Sequence, residues 1–99
     1  MNGQPVKWSN QTLALNNQVG YKGYTGDPWY YSTYNHDSAV ETINSLPDTS
    51  AYLEEKGGTN TIKFNGNAGK YTDGGAINTM TPEEIAVAAA KGWTVVFTN

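Results

Sequence analysis

One triplet in the chain has the residue types of a hydrolytic active site. His36, Asp37 and Ser38 could serve as base, orienting acid and nucleophile, but they are adjacent in the sequence. Active triads come from dispersed residues, because only the fold gives them the required geometry. The structural alternative is a helix start, with Ser38 and Glu41 in a capping box or Asp37 as a competing cap. We favour the helix start, and we predict no catalytic residue.

Other patterns with suitable residue types lack the spacing that their chemistry needs. Carboxylates in the pairs Glu54-Glu55 and Glu83-Glu84 are helix neighbours that point in different directions, unlike a glycosidase pair. Asp27 and Asp73 lack the regular ligand spacing of a calcium loop, and one histidine without cysteines cannot build a zinc site. The stretch Gly66–Lys70 lacks the full spacing of a phosphate loop. The sequence therefore predicts no enzyme, no metal site and no cofactor.

Aromatic residues are concentrated in a glycine-punctuated segment between residues 20 and 36. Long irregular segments are usually functional or disordered, and this aromatic content argues against disorder. Tyr and Trp offer a large contact area for a sugar or a protein partner. The same rings could instead cover the strand ends and complete the core, which we favour, and some rings could do each. The candidate binding residues are Tyr21, Tyr24, Trp29, Tyr30, Tyr31 and Tyr34.

Composition excludes several classes of protein. The 99 residues fit one domain, spanning 1–99, and the absence of cysteine excludes disulfides. A formal net charge of −3 without any arginine argues against nucleic-acid binding. No apolar run is long enough to span a membrane. The polar, Tyr-rich composition with 15% charged residues is common in extracellular and cell-surface proteins, where we expect this chain to act.

A short strand-like stretch occurs in three places. Residues Thr12–Asn17, Thr61–Gly66 and Thr94–Asn99 each begin with Thr, followed by an apolar, a variable and a second apolar residue. A spacing of two places both apolar side chains on one face of a strand. The chain therefore contains three related strands.

Helical patterns separate these strands. Residues 37–46 and 81–91 have apolar positions at helical spacing. The second helix begins with the capping pattern Thr81, Pro82 and Glu84. It ends at Lys91-Gly92. A further helical turn is expected within 48–56. Strands joined through helices are normally parallel. We predict an α/β solenoid fragment with about three mainly parallel strands and two helices on one face, whose core contains Leu13, Leu15, Val40, Ile43, Leu46, Ile62, Phe64, Ile85, Ala89, Trp93, Val95 and Phe97.

The region from Ser38 to Asn99 resembles irregular bacterial leucine-rich-repeat-like proteins, including surface proteins of gut bacteria and phage or prophage virion proteins. The resemblance lies in the helix Ala39–Asp48, the strand Thr61–Phe64 and the block Met80–Val95, which is similar to a C-terminal repeat. It implies a solenoid fold, a place at the C-terminal end of a longer protein, and a binding or scaffold role. The aromatic segment has no counterpart in that family.

Two functions follow from these patterns. The first is a non-enzymatic binding or adhesion module of a bacterial surface protein that recognises a protein or a glycan. The alternative is a structural capping or assembly domain of a surface or virion protein, without a ligand of its own. The final strand is expected at a sheet edge, where it could pair with another copy of the chain.

Overall fold

The computed structural model describes residues 7–15 and 34–98. Within these residues the chain forms strands, helices and one 3₁₀ turn. In chain order they are β1 (Thr12–Leu15), α1 (His36–Ser45), α2 (Ser50–Lys56), β2 (Asn60–Asn65), the 3₁₀ turn (Ile77–Thr79), α3 (Pro82–Ala90) and β3 (Trp93–Thr98).

The strands form one sheet in the order β1-β2-β3, and both strand pairs are parallel, as predicted. Their register aligns the repeated stretch with itself, so that Thr12, Thr61 and Thr94 form a row across the sheet. The apolar positions form two further rows, Leu13–Ile62–Val95 and Leu15–Phe64–Phe97. The sequence similarity of the strands therefore corresponds to equivalent positions in the sheet.

Within the described residues, three helices accompany the sheet, where two were predicted. Helices α1 and α3 contribute Ala39, Ile43 and Ala88 to the same buried cluster as Ile62 and Phe64, so both pack on that face of the sheet. Helix α2 contributes no buried residue. The expected helical turn after Pro47 is therefore a complete but peripheral helix.

The start of α1 differs from the predicted one. The N-cap is Asn35, whose Oδ1 accepts hydrogen bonds from the backbone N–H and the hydroxyl of Ser38. The prediction that Ser38 or Asp37 caps the helix is therefore wrong. The Asn35 side chain also donates to the hydroxyl of Thr72, 3.0 Å away. This distant contact favours Asn35 over neighbouring residues that are equally good caps.

Helix α3 has the predicted ends. The Thr81 hydroxyl accepts from the Glu84 N–H, and the Glu84 carboxylate accepts from the Thr81 N–H, which completes the capping box. Pro82 occupies the first helical turn, and Gly92 has the positive φ expected at the helix end. Local sequence alone thus determines where this helix begins and ends.

The core lies between the sheet and helices α1 and α3. Ile43, Leu46, Ile62, Phe64 and Trp93 are buried as predicted, and the partly buried Leu15, Val40, Ile85, Val95 and Phe97 pack against them. Two core predictions are wrong. Leu13 is 36% exposed because it lies on an edge strand, and Ala89 is exposed while its neighbour Ala88 is fully buried.

A buried polar cluster joins the crossovers at the amino ends of the strands. Asn60 is fully buried; its side chain accepts from the Gln11 N–H and donates to the Trp8 carbonyl and the Thr49 hydroxyl. Thr49 in turn donates from both its hydroxyl and its backbone N–H to the Lys91 carbonyl. The cluster links β2 to the segment before β1, to the start of α2 and to the end of α3.

Replacing Asn60 with Ala should destabilise the protein by about 2–3 kcal/mol, because it leaves buried hydrogen-bonding partners unsatisfied. The free energy of unfolding from urea titration checks this value. Asn44→Ala is the matched control, since Asn44 is exposed and its backbone carbonyl carries its described contact with Lys91. Equal stability changes in the two variants would contradict a structural role for the cluster.

Substitution of two glycines at helix ends distinguishes the cost of backbone strain from the cost of steric overlap. Gly57 and Gly92 have φ of 80° and 87°, but an added Cβ meets nothing within 4 Å at Gly57, whereas at Gly92 it would lie 2.5 Å from Thr49 Oγ1. We expect Gly57→Ala to cost about 1–3 kcal/mol from backbone strain, and Gly92→Ala to cost more. Thermal and urea unfolding of both variants measure the difference. An equal loss in both would exclude the steric contribution.

Candidate functional site

Most of the predicted aromatic site lies outside the described residues. This applies to Tyr21, Tyr24, Trp29, Tyr30 and Tyr31, whose proposed binding role stays a prediction. The structure therefore places one member of the set, Tyr34.

Tyr34 packs on the core. Its ring stacks on Phe64 with a centroid separation of 6.2 Å and an interplanar angle of 24°. Its hydroxyl forms a hydrogen bond with the hydroxyl of Thr42 on α1. Burial raises the pKa of the Tyr34 phenol, and the Thr42 hydrogen bond opposes that increase. Tyr34 thus covers the core beside α1.

His36 lies between two carboxylates at the starts of α1 and α3. Its Nδ1 is 2.8 Å from Asp37 Oδ1, and its Nε2 is 2.9 Å from Glu84 Oε1. A neutral imidazole can donate through only one ring nitrogen, whereas the imidazolium donates through both. The arrangement therefore favours the protonated form of His36.

The pKa values of the pair reflect this geometry. Hydrogen bonds to Glu84 and then to Asp37 raise the pKa of His36 above its ordinary value, against a smaller opposing effect of burial. The hydrogen bond from the Thr81 backbone N–H, followed by that from His36, lowers the pKa of the Glu84 carboxyl. The described contacts thus stabilise a charged pair that connects two helix N-termini.

The cluster does not form the relay of a serine hydrolase. Both ring nitrogens of His36 engage carboxylates, and the Ser38 hydroxyl donates to Asn35 Oδ1, 3.1 Å away. A triad instead requires one ring nitrogen to accept the nucleophile's proton. Within residues 7–15 and 34–98, no group of His, Cys, Asp or Glu residues could hold a metal ion. The geometry therefore supports a structural link between helices.

The remaining sequence patterns have structural surroundings. Gly69, in the stretch compared with a phosphate loop, packs so closely on Asn35 that an added Cβ would lie 2.3 Å from Asn35 Cβ. Glu54, Glu55 and Glu83 are exposed on their helices. None of these residues forms a cradle or a carboxylate pair with the described neighbours.

Within the described residues, the outer face of the sheet is a candidate binding surface. Side chains alternate along a strand, so the face opposite the buried Ile62 and Phe64 carries the Thr row and the row between the apolar ones. No described helix packs on this face. It contains Thr12, Ala14 and Thr94, which are exposed, and Thr61, Lys63 and Val96, which are partly exposed.

Comparison with protein-family models, with curated proteins and with solved structures finds no significant match. None of the helices within the described residues is long and apolar enough to cross a membrane.

The His36–Glu84 link should make stability depend on pH in a specific direction. Because the pKa of His36 is raised, its contribution is complete below about pH 6.5 and is lost as pH rises through the folded-state pKa. Because the pKa of Glu84 is lowered, its contribution is present above about pH 4.5 and is lost as pH falls through the folded-state pKa. The pair should therefore stabilise most between these two values.

His36→Gln tests this dependence. The free energy of unfolding of wild type minus that of the variant, from urea titrations, should be larger at about pH 5.5 than at about pH 9. Glu84→Gln should show the same trend, because it also removes the charge pair. Parallel pH profiles for wild type and both variants would show that the pair does not contribute.

Proposed function

We propose that the chain is a non-enzymatic binding or adhesion module that recognises a protein or a glycan through the outer face of its sheet. One observation carries this proposal: helices cover the Ile62 and Phe64 face, whereas Thr12, Ala14 and Thr94 on the opposite face are exposed. A sheet supported on one side by a packed core offers a rigid surface on the other side. Rigid surfaces lose little conformational entropy on binding.

The chemistry of this face indicates what kind of ligand it suits. Hydroxyls from Thr12, Thr61 and Thr94 form one row, and Lys63 contributes a single positive charge at the centre. The side chains that the described strands place on this face are short or flexible, and none of them is a large aromatic ring. The face therefore favours a hydroxyl-rich or otherwise polar ligand that forms hydrogen bonds with several strands.

We also propose a solenoid of the leucine-rich-repeat-like kind, located at the C-terminal end of a longer bacterial surface or virion protein and acting outside the cell. Its support is the in-register alignment of three similar strands, which is the arrangement that stacked repeats produce. The aromatic residues Tyr21, Tyr24, Trp29, Tyr30 and Tyr31 are proposed as a second contact region.

A glycan array and a pull-down assay with paired variants test the binding function. Lys63→Glu should weaken binding at least about tenfold, because it reverses the one charge that the described strands place on this face and removes a charge-assisted hydrogen bond. Lys56→Glu is the matched control; it makes the same charge change on the exposed end of α2 and should leave binding unchanged. Trp29→Ala combined with Tyr30→Ala tests the aromatic segment separately.

The outcomes distinguish the two regions. Loss of binding only in the Trp29 and Tyr30 variant would move the site from the sheet to the aromatic segment. If the folded wild type binds no glycan and no protein, the binding function is wrong and the alternative, a capping or assembly domain, is favoured.

A further inference from the structure

Within the described residues, neither edge strand of the sheet carries the charges or prolines that help to prevent strands from pairing with other molecules. Among the described residues, β1 and β3 each pair with β2 alone. Neither edge strand contains a charged residue or a proline, and the one charged strand residue, Lys63, lies on the central strand. Natural sheets usually protect exposed edges with charges, prolines or bulges. Uncharged edges are therefore suited to pairing.

The hydrogen bonds of β2 show which edge groups face outward. The Thr61 N–H donates to the Gln11 carbonyl on the β1 side, and the Gly66 N–H donates to the Thr98 carbonyl on the β3 side. The backbone N–H and C=O groups of successive residues in a strand point to alternate edges. The same alternation applies along β1 and β3, whose register with β2 is known. Outward-facing groups belong to Thr12 and Ala14 on β1, and to Trp93, Val95 and Phe97 on β3.

We propose that copies of this chain associate head to tail, with β1 of one copy added in parallel to β3 of the next. In the register that the sheet already uses, the Thr12 N–H would donate to the Trp93 carbonyl of the neighbouring copy. Leu13 would lie beside Val95, which would cover the part of Leu13 that is exposed at the edge. Each row of the sheet would then continue into the next copy with the same kind of side chain.

A second copy is the occupant that matches both edges. Within one copy β1 pairs with β2, and β3 resembles β2 residue by residue, so β3 of a second copy suits the free edge of β1. In the same way, β3 pairs with β2, and β1 resembles β2, so β1 of a second copy suits the free edge of β3. Pairing of two different edges is heterologous and leaves a free edge at each end, so it gives chains of copies unless the rotation closes a ring. The association uses backbone edges and does not depend on the proposed ligand site.

Cysteine crosslinking tests the pairing directly, since the natural chain contains no cysteine. Thr12→Cys and Thr94→Cys place exposed thiols in one row, and strand spacing puts them about 5 Å apart across the proposed junction but about 10 Å apart within one copy. Disulfides form readily at the first distance and not at the second. An oxidised mixture of the two single variants should give a disulfide-linked heterodimer.

Controls make the crosslink specific to the head-to-tail arrangement. Thr12→Cys alone, Thr94→Cys alone, and Thr12→Cys mixed with Ala86→Cys on the exposed face of α3 should remain monomeric in non-reducing gels. If Thr12→Cys alone or Thr94→Cys alone gave as much homodimer as their mixture gives heterodimer, pairing of β1 with β3 would be contradicted. Absence of the heterodimer would overturn the proposal.

Sedimentation measurements test the association without crosslinks. The mass of the wild type should at least double as concentration rises, whereas Ala14→Glu combined with Val96→Glu should keep it at the monomer value. Within one copy the two introduced glutamates lie on either side of Lys63, and this opposite charge favours the folded monomer. At the proposed junction the two glutamates would lie opposite each other, and their like charges would repel. Ala51→Glu combined with Ala86→Glu adds the same charge on exposed helix positions and should associate like the wild type. A wild type that stays monomeric at every concentration would overturn the proposal.

Discussion

The fold depends on returning the chain to the same end of the sheet before each strand. Parallel neighbours cannot be joined by a hairpin, so each strand requires a crossover that brings the chain back to its start. Asn60 fixes this return, because one buried amide contacts the chain before β1, the turn before α2 and, through Thr49, the carbonyl of Lys91. Nearby, the Trp93 indole N–H donates to the Pro47 carbonyl, 3.0 Å away. Polar contacts therefore align the starts of the strands, and this alignment lets the apolar rows pack together in the core.

The opposite end of the sheet is held by a different kind of interaction. Helices α1 and α3 both run back against the strand direction, so their N-termini lie together, where partial positive charges would repel. Glu84 and Asp37 supply negative charge there, and His36 connects them. The residues with the types of an active site are therefore accounted for by the electrostatics of two adjacent helix starts.

Sequence patterns predicted the features that local chemistry decides. The ends of α3 follow from Thr81, Glu84 and Gly92, and the parallel strands follow from three similar stretches separated by helices. The start of α1 could not be predicted, since Asn35, Asp37 and Ser38 are all good caps, and Asn35 is distinguished by distant contacts such as those with Thr72 and Gly69. Ala88 and Ala89 have the same size and both fall on the apolar side of the helical pattern, so sequence alone could not decide which of the two is buried. The His36–Glu84 contact joins residues 48 positions apart and has no local signal.

The proposed binding face and the proposed self-association both use surfaces of the sheet. Among the described residues, the central strand β2 pairs with a neighbour on each edge, and helices cover one face of the sheet, which leaves the outer face and the outer edges of β1 and β3 uncovered. The face offers hydroxyls and one ammonium group, while the edges offer backbone donors and acceptors in a fixed spacing. Side chains on the face can change without altering the fold, but the edge pattern is part of the fold itself. Exchange of a hydroxyl on the face would then alter ligand preference and leave the backbone edges intact, whereas like charges placed at Ala14 and Val96 would meet at the junction and block self-association.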